Sequence, residues 1–290
     1  MTKSDFTQDG SVREFFWFMD EREKIYQRKL YDEPRPWAND PILDKYFFCN
    51  VYRENDKVTK WIRENWREPH KDAPPEIMIF NMVVARFFNF IPTLELIGWT
   101  QNWEKQRTGD IAGELKDYQE MGRTSFNAAY LIAGTDLKGK NKIDGVCDRL
   151  DWAWKNLEFI TAGIVGKGTL QGAWEVLQQI PGVAGFIAYE IVTDLRHTPI
   201  LSKAPDIMTW ANPGPGAIRG LQRMYGRDYV KLNTPLHLMR LILAEAPFQT
   251  TLKLEMRDIE HTLCEYDKYL RIKQAIKEGR PVLGMRRYRM

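Results

Sequence analysis

Residues 177–227, LQQIPGVAGFIAYEIVTDLRHTPILSKAPDIMTWANPGPGAIRGLQRMYGR, decide the reading of this chain, because they set one helix start after another behind Gly/Pro turns. Ile180-Pro181-Gly182-Val183-Ala184-Gly185 lies between two apolar segments of helical period, 170–179 and 186–195, and reads as the tight turn of a helix-hairpin-helix. Glycine lets a backbone approach a phosphate closely, and the N–H groups and dipole of the following helix hold an anion without reading a base. Pro181, Gly182, Val183, Ala184 and Gly185 are therefore candidates for gripping a DNA backbone. Farther on, Gly214-Pro215-Gly216 opens another helix with Pro215 at its first position, and Gly214 and Gly216 join those candidates. Arg219 and Arg223, four apart on one face of that helix, suit a phosphate or diphosphate.

A hydrophobic content of 43% against 28% charged is ordinary globular composition and argues against disorder. The 290 residues suffice for one large core or two intimate lobes. A net charge of +3, from 42 basic and 39 acidic residues, excludes a broad basic field, so DNA binding would need charge gathered locally. Ten Trp and twelve Tyr leave rings available for stacking on an extruded base, beside the many that must fill the core. Cys49, Cys147 and Cys264 are odd in number and far apart, which fits a reducing compartment. No apolar run is long enough for a membrane span, and the first residues lack the build of a signal peptide. The expectation is a cytoplasmic protein with no membrane partner.

Helical periodicity dominates the chain. Helices are predicted over 11–30, 41–52, 58–66, 76–90, 92–99, 109–121, 144–161, 232–246 and 251–277, besides those flanking the hairpin. The 76–90 segment is apolar all round and reads as a buried core helix. A helix through 41–52 that continued onward would put Asn50, Arg53 and Asp56, spaced by three, on one face. Residues 204–210 read as one short helical turn carrying Asp206. Residues 134–141, GTDLKGKN, nearly fit a phosphate loop, but Asn141 stands where Ser or Thr would hold magnesium, and helix rather than strand precedes them. They read as a surface loop. The basic tail from Met285 reads as solvated or touching a phosphate backbone. With no β-rich segment or repeat, the expected architecture is all-α: a single domain over 1–290 in two helical lobes with a cleft. Its lobes would run from 1 to 110 and from 111 to 250, followed by a C-terminal helix and tail over 251–290.

The hairpin is similar to that of the helix-hairpin-helix DNA glycosylase superfamily, in which a catalytic aspartate follows; Asp206 stands a little late for it. Phe186 occupies the position where bifunctional members carry lysine, so a Schiff-base lyase is not supported, and no four-cysteine cluster provides for an iron–sulfur centre. A resemblance covering more of the chain rests on Pro36-Trp37-Ala38-Asn39-Asp40, Phe48-Cys49-Asn50-Val51-Tyr52-Arg53-Glu54-Asn55-Asp56, the hairpin, and Gly214 to Leu221, in that order. By these motifs the chain resembles the phage α-glutamyl/putrescinyl-thymine pyrophosphorylase family, glycosylase-like amino-acid or polyamine DNA transferases.

That resemblance implies an enzyme that displaces pyrophosphate from an activated 5-hydroxymethyluracil in double-stranded DNA with the amine of a free amino acid or polyamine. It implies functional coupling to a 5-hydroxymethyluracil DNA kinase; the helical domain is fused to base kinases in related proteins, although no kinase segment is apparent here. Asp206 is the first choice for the carboxylate that takes the amine's proton, then Asp56, then Asp194. Arg53, Arg123, Arg219 and Arg223 would hold the diphosphate or nearby DNA phosphates, with Arg22, Trp37, Asn50 and Tyr130 at the pocket. Arg22 reads equally as a solvated helix charge. His197 and His237 are isolated, and neither a metal nor a bound cofactor is called for. Two other readings remain open: a glycosylase that excises a modified base, and a non-catalytic DNA-binding protein.

Overall fold

A computed structural model describes residues 9–126 and 141–288, and every regular element among them is helical. In chain order these are α1 (Asp9–Leu30), α2 (Pro41–Lys45), α3 (Lys57–Ile62), α4 (Pro75–Phe88), α5 (Ile91–Ile97), α6 (Trp103–Thr108), α7 (Ile111–Glu120), α8 (Lys142–Lys155), α9 (Leu157–Lys167), α10 (Leu170–Leu177), α11 (Gly185–Leu195), α12 (Pro215–Tyr225), α13 (Arg227–Leu232), α14 (Pro235–Gln249) and α15 (Met256–Lys277). No helix among the described residues is long and apolar enough to cross a membrane. The chain divides into two units at other points than the sequence suggests: Lys57–Asp206 forms one, and Met1–Asp56 with Ile207–Met290 forms the other. The second is discontinuous because α15, near the end of the chain, packs on α1 and α2 from its beginning.

In the continuous unit, α4 is the central helix. Residues Met78 to Phe88 are all buried, since α8, α9 and α11 pack around it, which is why its sequence is apolar on every side. Its two polar interruptions are satisfied internally. Asn81 takes the Thr100 N–H at 3.0 Å and donates to the Thr100 carbonyl at 2.9 Å, pinning the segment after α5. Arg86 is 1% exposed and donates to both carboxylate oxygens of Asp194 on α11, at 2.5 and 2.7 Å. Its remaining donors reach Thr59 and Asn89, both at 3.1 Å, and Arg67 donates to the Asp194 carbonyl at 3.1 Å.

The two helices and the turn expected between them are present as α10, a turn and α11. Gly182 sits at φ +78°, a conformation that favours glycine, and the Val183 N–H closes the turn on the Ile180 carbonyl at 3.0 Å. The Trp174 indole N–H donates to the Gly185 carbonyl at 2.8 Å, locking one helix to the other. In place of the short helix expected over 204–210 there are turns without a helix.

In the discontinuous unit, α12 and α15 make the closest helix pair. A Cβ on Gly216 would meet the Cys264 sulfur at 2.3 Å, and one on Gly220 would meet the Leu263 carbonyl oxygen at 2.4 Å. These glycines serve helix-to-helix approach.

Removing Asp194 would leave Arg86 buried without its two-point partner, with the Glu190 carboxylate at 3.6 Å beside it. Asp194→Ala is expected to cost about 3–5 kcal/mol of stability, and Arg86→Met with Asp194→Leu should recover only part of it, because Glu190 and Arg67 lose the ionic partners they have in Arg86 and Asp194. Urea unfolding of the two variants checks both values.

Candidate functional site

The polar residues that gather in the discontinuous unit come from three places: the inner face of α1, the segment between α2 and α3, and α15. Phe15 and Phe18 on α1 pack edge-on or tilted against Tyr266 of α15, each with ring centroids 5.5 Å apart, and Phe48 packs edge-on to Phe18 at 5.6 Å. One turn beyond Phe18, the same face carries Arg22.

The helix predicted over 41–52 stops at Lys45. Tyr46 is extended and bridges to Arg287, the Phe47 N–H donates to the Arg286 carbonyl at 2.9 Å, and the Tyr288 N–H donates to the Lys45 carbonyl at 3.1 Å. Pairing with the C-terminal segment therefore wins over helical propensity. Asn50, Arg53 and Asp56 still come together, around a short 3-10 turn over Arg53–Asn55 instead of along a helix face. The Asn50 N–H donates to Asp56 at 3.0 Å, its side-chain amide reaches the Asn55 carbonyl at 2.9 Å, and Arg53 pairs with Asp56 at 3.2 Å.

Arg22 is 3% exposed, and its Nε and Nη1 are buried without a hydrogen-bond partner among the described residues. It lies over the rings of Phe48 and Phe18, at 5.5 and 6.0 Å. Nearby, Lys29 faces the rings of Tyr288, Trp37 and Phe47 at 4.8, 5.3 and 5.9 Å, and Arg35 faces Trp37 at 5.2 Å. Burial, then Arg22 and Arg286, push the Lys29 ammonium below its usual range. Cations crowded this closely among aromatic rings would be relieved by an anion, and rings beside them suit a base.

Two residues that sequence spacing did not reveal complete the cluster. His261 of α15 has its Nε2 4.0 Å from Asp56; burial, then Arg53, lower its pKa to about 4, so the imidazole is neutral near pH 7. Glu265, one turn on, accepts the Cys49 N–H at 3.1 Å and pairs with Lys268 at 2.5 Å. Burial alone would raise the Glu265 carboxyl, but the surrounding cations, Lys268 first and Arg22 among them, hold it below its usual range.

The other expected site residues lie elsewhere. Arg219 and Arg223 both donate to Asp267 of α15, at 3.0 and 2.7 Å, and Arg271 joins them at 3.3 Å. The Gly214 N–H is taken by Glu260 at 3.2 Å, so a carboxylate already stands at the start of α12, and Gly216 is packed on α15; the phosphate cradle read there is a helix-packing feature. Asp206 accepts the Leu170 and Gln171 N–H groups at 2.8 and 3.0 Å, capping α10. Asp194 is the buried partner of Arg86. Arg123 is exposed, 5.2 Å from the Tyr118 ring. Trp37 belongs to the Lys29 cluster. Tyr130 and most of the 134–141 loop lie outside the described residues. At the hairpin, Pro181, Gly182 and Ala184 are exposed while Val183 is buried and Gly185 partly so. Arg149 of α8 packs under Gly182, where a Cβ would meet its guanidinium at 2.5 Å. Arg149 is 8% exposed, and its Nη1 has no partner among the described residues.

The described chain is thus all-helical, with a tight helix–turn–helix at α10 and α11 and buried arginines, Arg22 and Arg149, that carry unpartnered nitrogens among the described residues. The profile of the family described as "5-hmdU DNA kinase, helical domain" matches residues 10–278, and the chain belongs to that family. Among curated proteins it is similar to the 5-hmdU DNA kinase of Bacillus phage SP10, 25% identical over 290 residues, covering 88% of this chain and 44% of that protein. The chain thus spans less than half the length of that relative. No solved structure matches.

These findings overturn the pyrophosphorylase reading. The family is that of a 5-hydroxymethyluracil kinase, which adds a phosphoryl group, so displacement of pyrophosphate by an amine falls, and with it the amino acid or polyamine as co-substrate. The coupled kinase of the sequence reading is the chain's own family. The roles of Asp206, Asp56 and Asp194 in deprotonating an amine go with that reaction, and neither excision of a base nor binding without catalysis is supported.

Replacing Arg22 by Met removes a buried guanidinium without hydrogen bonds but also a cation that stabilises the Glu265 carboxylate, so the stability of the free protein should change by less than about 1 kcal/mol. Denaturant melts test this, and a larger loss of stability would show the guanidinium to be satisfied within the chain. Asp206→Ala should cost at least about 1 kcal/mol by uncapping α10, read in the same experiment.

Proposed function

We propose that this chain serves the ATP-dependent phosphorylation of 5-hydroxymethyluracil in DNA, by holding the duplex and receiving the target nucleotide for phosphoryl transfer. In such a kinase the hydroxyl on the 5-methylene carbon attacks the γ-phosphorus of the nucleoside triphosphate and releases the diphosphate. The work left to a helical domain is to grip the strand and keep the extruded base in place, since a base cannot react inside the stack. A nucleoside-triphosphate site supplied by a further domain fits the description of this family as the helical part of the kinase.

The observation that carries this reading is the pair of buried arginines, Arg149 and Arg22, whose guanidinium groups hold nitrogen atoms without a hydrogen-bond partner among the described residues. A buried arginine needs an anion, and DNA offers one at every nucleotide. Arg149, directly beneath the exposed Gly182 of the hairpin, would take a backbone phosphate that glycine allows to come close. Arg22, over the rings of Phe48 and Phe18, would take the phosphate of the target nucleotide, while Trp37, Phe47 and Tyr288 around Lys29 offer a stacking face. In this reading the hairpin grips DNA as its glycosylase counterparts do.

Binding to a duplex carrying one 5-hydroxymethyluracil, followed by fluorescence anisotropy, tests the reading. Wild type should bind, more weakly as salt rises, and Arg149→Met should weaken binding about tenfold to a hundredfold, the worth of a charge-assisted hydrogen bond. Labelled phosphate from ATP should reach the base when the chain acts with its triphosphate-binding domain. Absence of DNA binding, or an Arg149→Met variant with unchanged affinity, would sink it.

A further inference from the structure

The Sγ of Cys49, a carboxylate oxygen of Asp56 and a ring nitrogen of His261 all lie within 4.8 Å of one another. Cys49 and Asp56 stand at the two ends of the segment that also carries Asn50 and Arg53, while His261 comes from α15. They are more than two hundred positions from the histidine, so only the fold brings them together. The Nε2 of His261 is buried and has no hydrogen-bond partner among the described residues. An orphaned imidazole nitrogen facing a thiol and a carboxylate is an arrangement that leaves something to be bound.

We propose that Cys49, Asp56 and His261 form a site for a borderline-soft divalent cation of the zinc class. Donor chemistry sets the class. A thiolate, an imidazole nitrogen and a carboxylate oxygen suit zinc or cobalt, whereas magnesium, the ion of phosphoryl transfer, takes oxygen ligands. Bonds of about 2.0–2.3 Å at tetrahedral angles place ligand atoms roughly 3.3–3.8 Å apart, so the observed separations close by small side-chain rotations. On binding, the Cys49 thiol gives its proton to solvent and its sulfur supplies the electron pair of the new bond, while the imidazole is already neutral.

The surroundings fit ligands held in place. Asp56 is oriented by the Asn50 N–H and by Arg53, and the Cys49 backbone is fixed through its N–H on Glu265. Carboxylates at Asp56 and Glu265, with the new thiolate, set three negative charges against the dication, Arg53 and Lys268, and those cations favour the thiolate form of Cys49. Three protein ligands leave a fourth position for water or for an oxygen of a bound ligand. The cation would tie the 49–56 segment to α15 and so set the position of Arg53.

Cobalt titration of the metal-free full chain tests this. One equivalent of Co2+ should give the visible bands of a tetrahedral site and a thiolate-to-cobalt charge-transfer band, and one equivalent of Zn2+ should displace it. Cys49→Ser should abolish the charge-transfer band, and His261→Ala should weaken binding by about 100-fold or more. If either variant fails to fold, alkylation of the wild-type protein decides: Zn2+ should protect Cys49 from iodoacetamide while leaving Cys147 and Cys264 unchanged. No charge-transfer band in the wild type, binding unaltered in both folded variants, or unprotected Cys49 would each overturn the proposal.

Discussion

A charge removed from water must meet another charge or a full set of hydrogen bonds, and that constraint organises both units of this protein. In the continuous unit it couples the central helix α4 to the hairpin's second helix: Arg86 is held in an apolar interior by Asp194 and, one turn earlier on α11, by Glu190, which sets the register of α11 on α4. In the discontinuous unit a buried Asp267 draws Arg219, Arg223 and Arg271 to the seam of α12 and α15, and Glu265 draws Lys268. Arg22 and Arg149 are held differently: each is buried, each has a nitrogen without a hydrogen-bond partner among the described residues, and one lies against aromatic rings while the other lies under a glycine.

Much of the helical framework is legible in the sequence, because apolar periodicity and Pro/Gly punctuation act locally. The buried helix at 75–88, the hairpin at 180–185 and the helix start at Pro215 follow from residues that are neighbours in the chain. The segment after Lys45 does not. Its helical pattern yields to backbone pairing with Arg286, Arg287 and Tyr288, and nothing near residue 46 announces a partner some 240 positions away. The motif of Asn50, Arg53 and Asp56 marks a real cluster, but its third side, His261 and Glu265, lies on a helix whose pattern reads as ordinary packing. An i, i+4 pair of His and Glu gains meaning only beside Cys49 and Asp56.

The chemistry was partly legible for a related reason. In the reading proposed above, the motifs in order from Trp37 to Leu221 would hold DNA and present 5-hydroxymethyluracil, and such machinery would be needed whether the hydroxymethyl group is being phosphorylated or its activated form displaced. Residues that grip a strand carry no mark of which bond is made next. The family match, which covers nearly the whole described chain, separates the two where the motifs could not.

Glycine shows most clearly why a motif needs its surroundings. Gly182 and Gly216 both follow proline in runs that look made for phosphate, and both stand where a Cβ would collide with a neighbour. At Gly182 the neighbour is a guanidinium, a cation that a phosphate would complement, and the glycine is exposed. At Gly216 it is the Cys264 sulfur of a packed helix, the glycine is buried, and the N–H of Gly214 just ahead is already held by Glu260. The same residue type therefore leaves one turn exposed above a buried cation and closes the other helix against its partner. What separates them is the charge of the atom that the missing side chain would have touched.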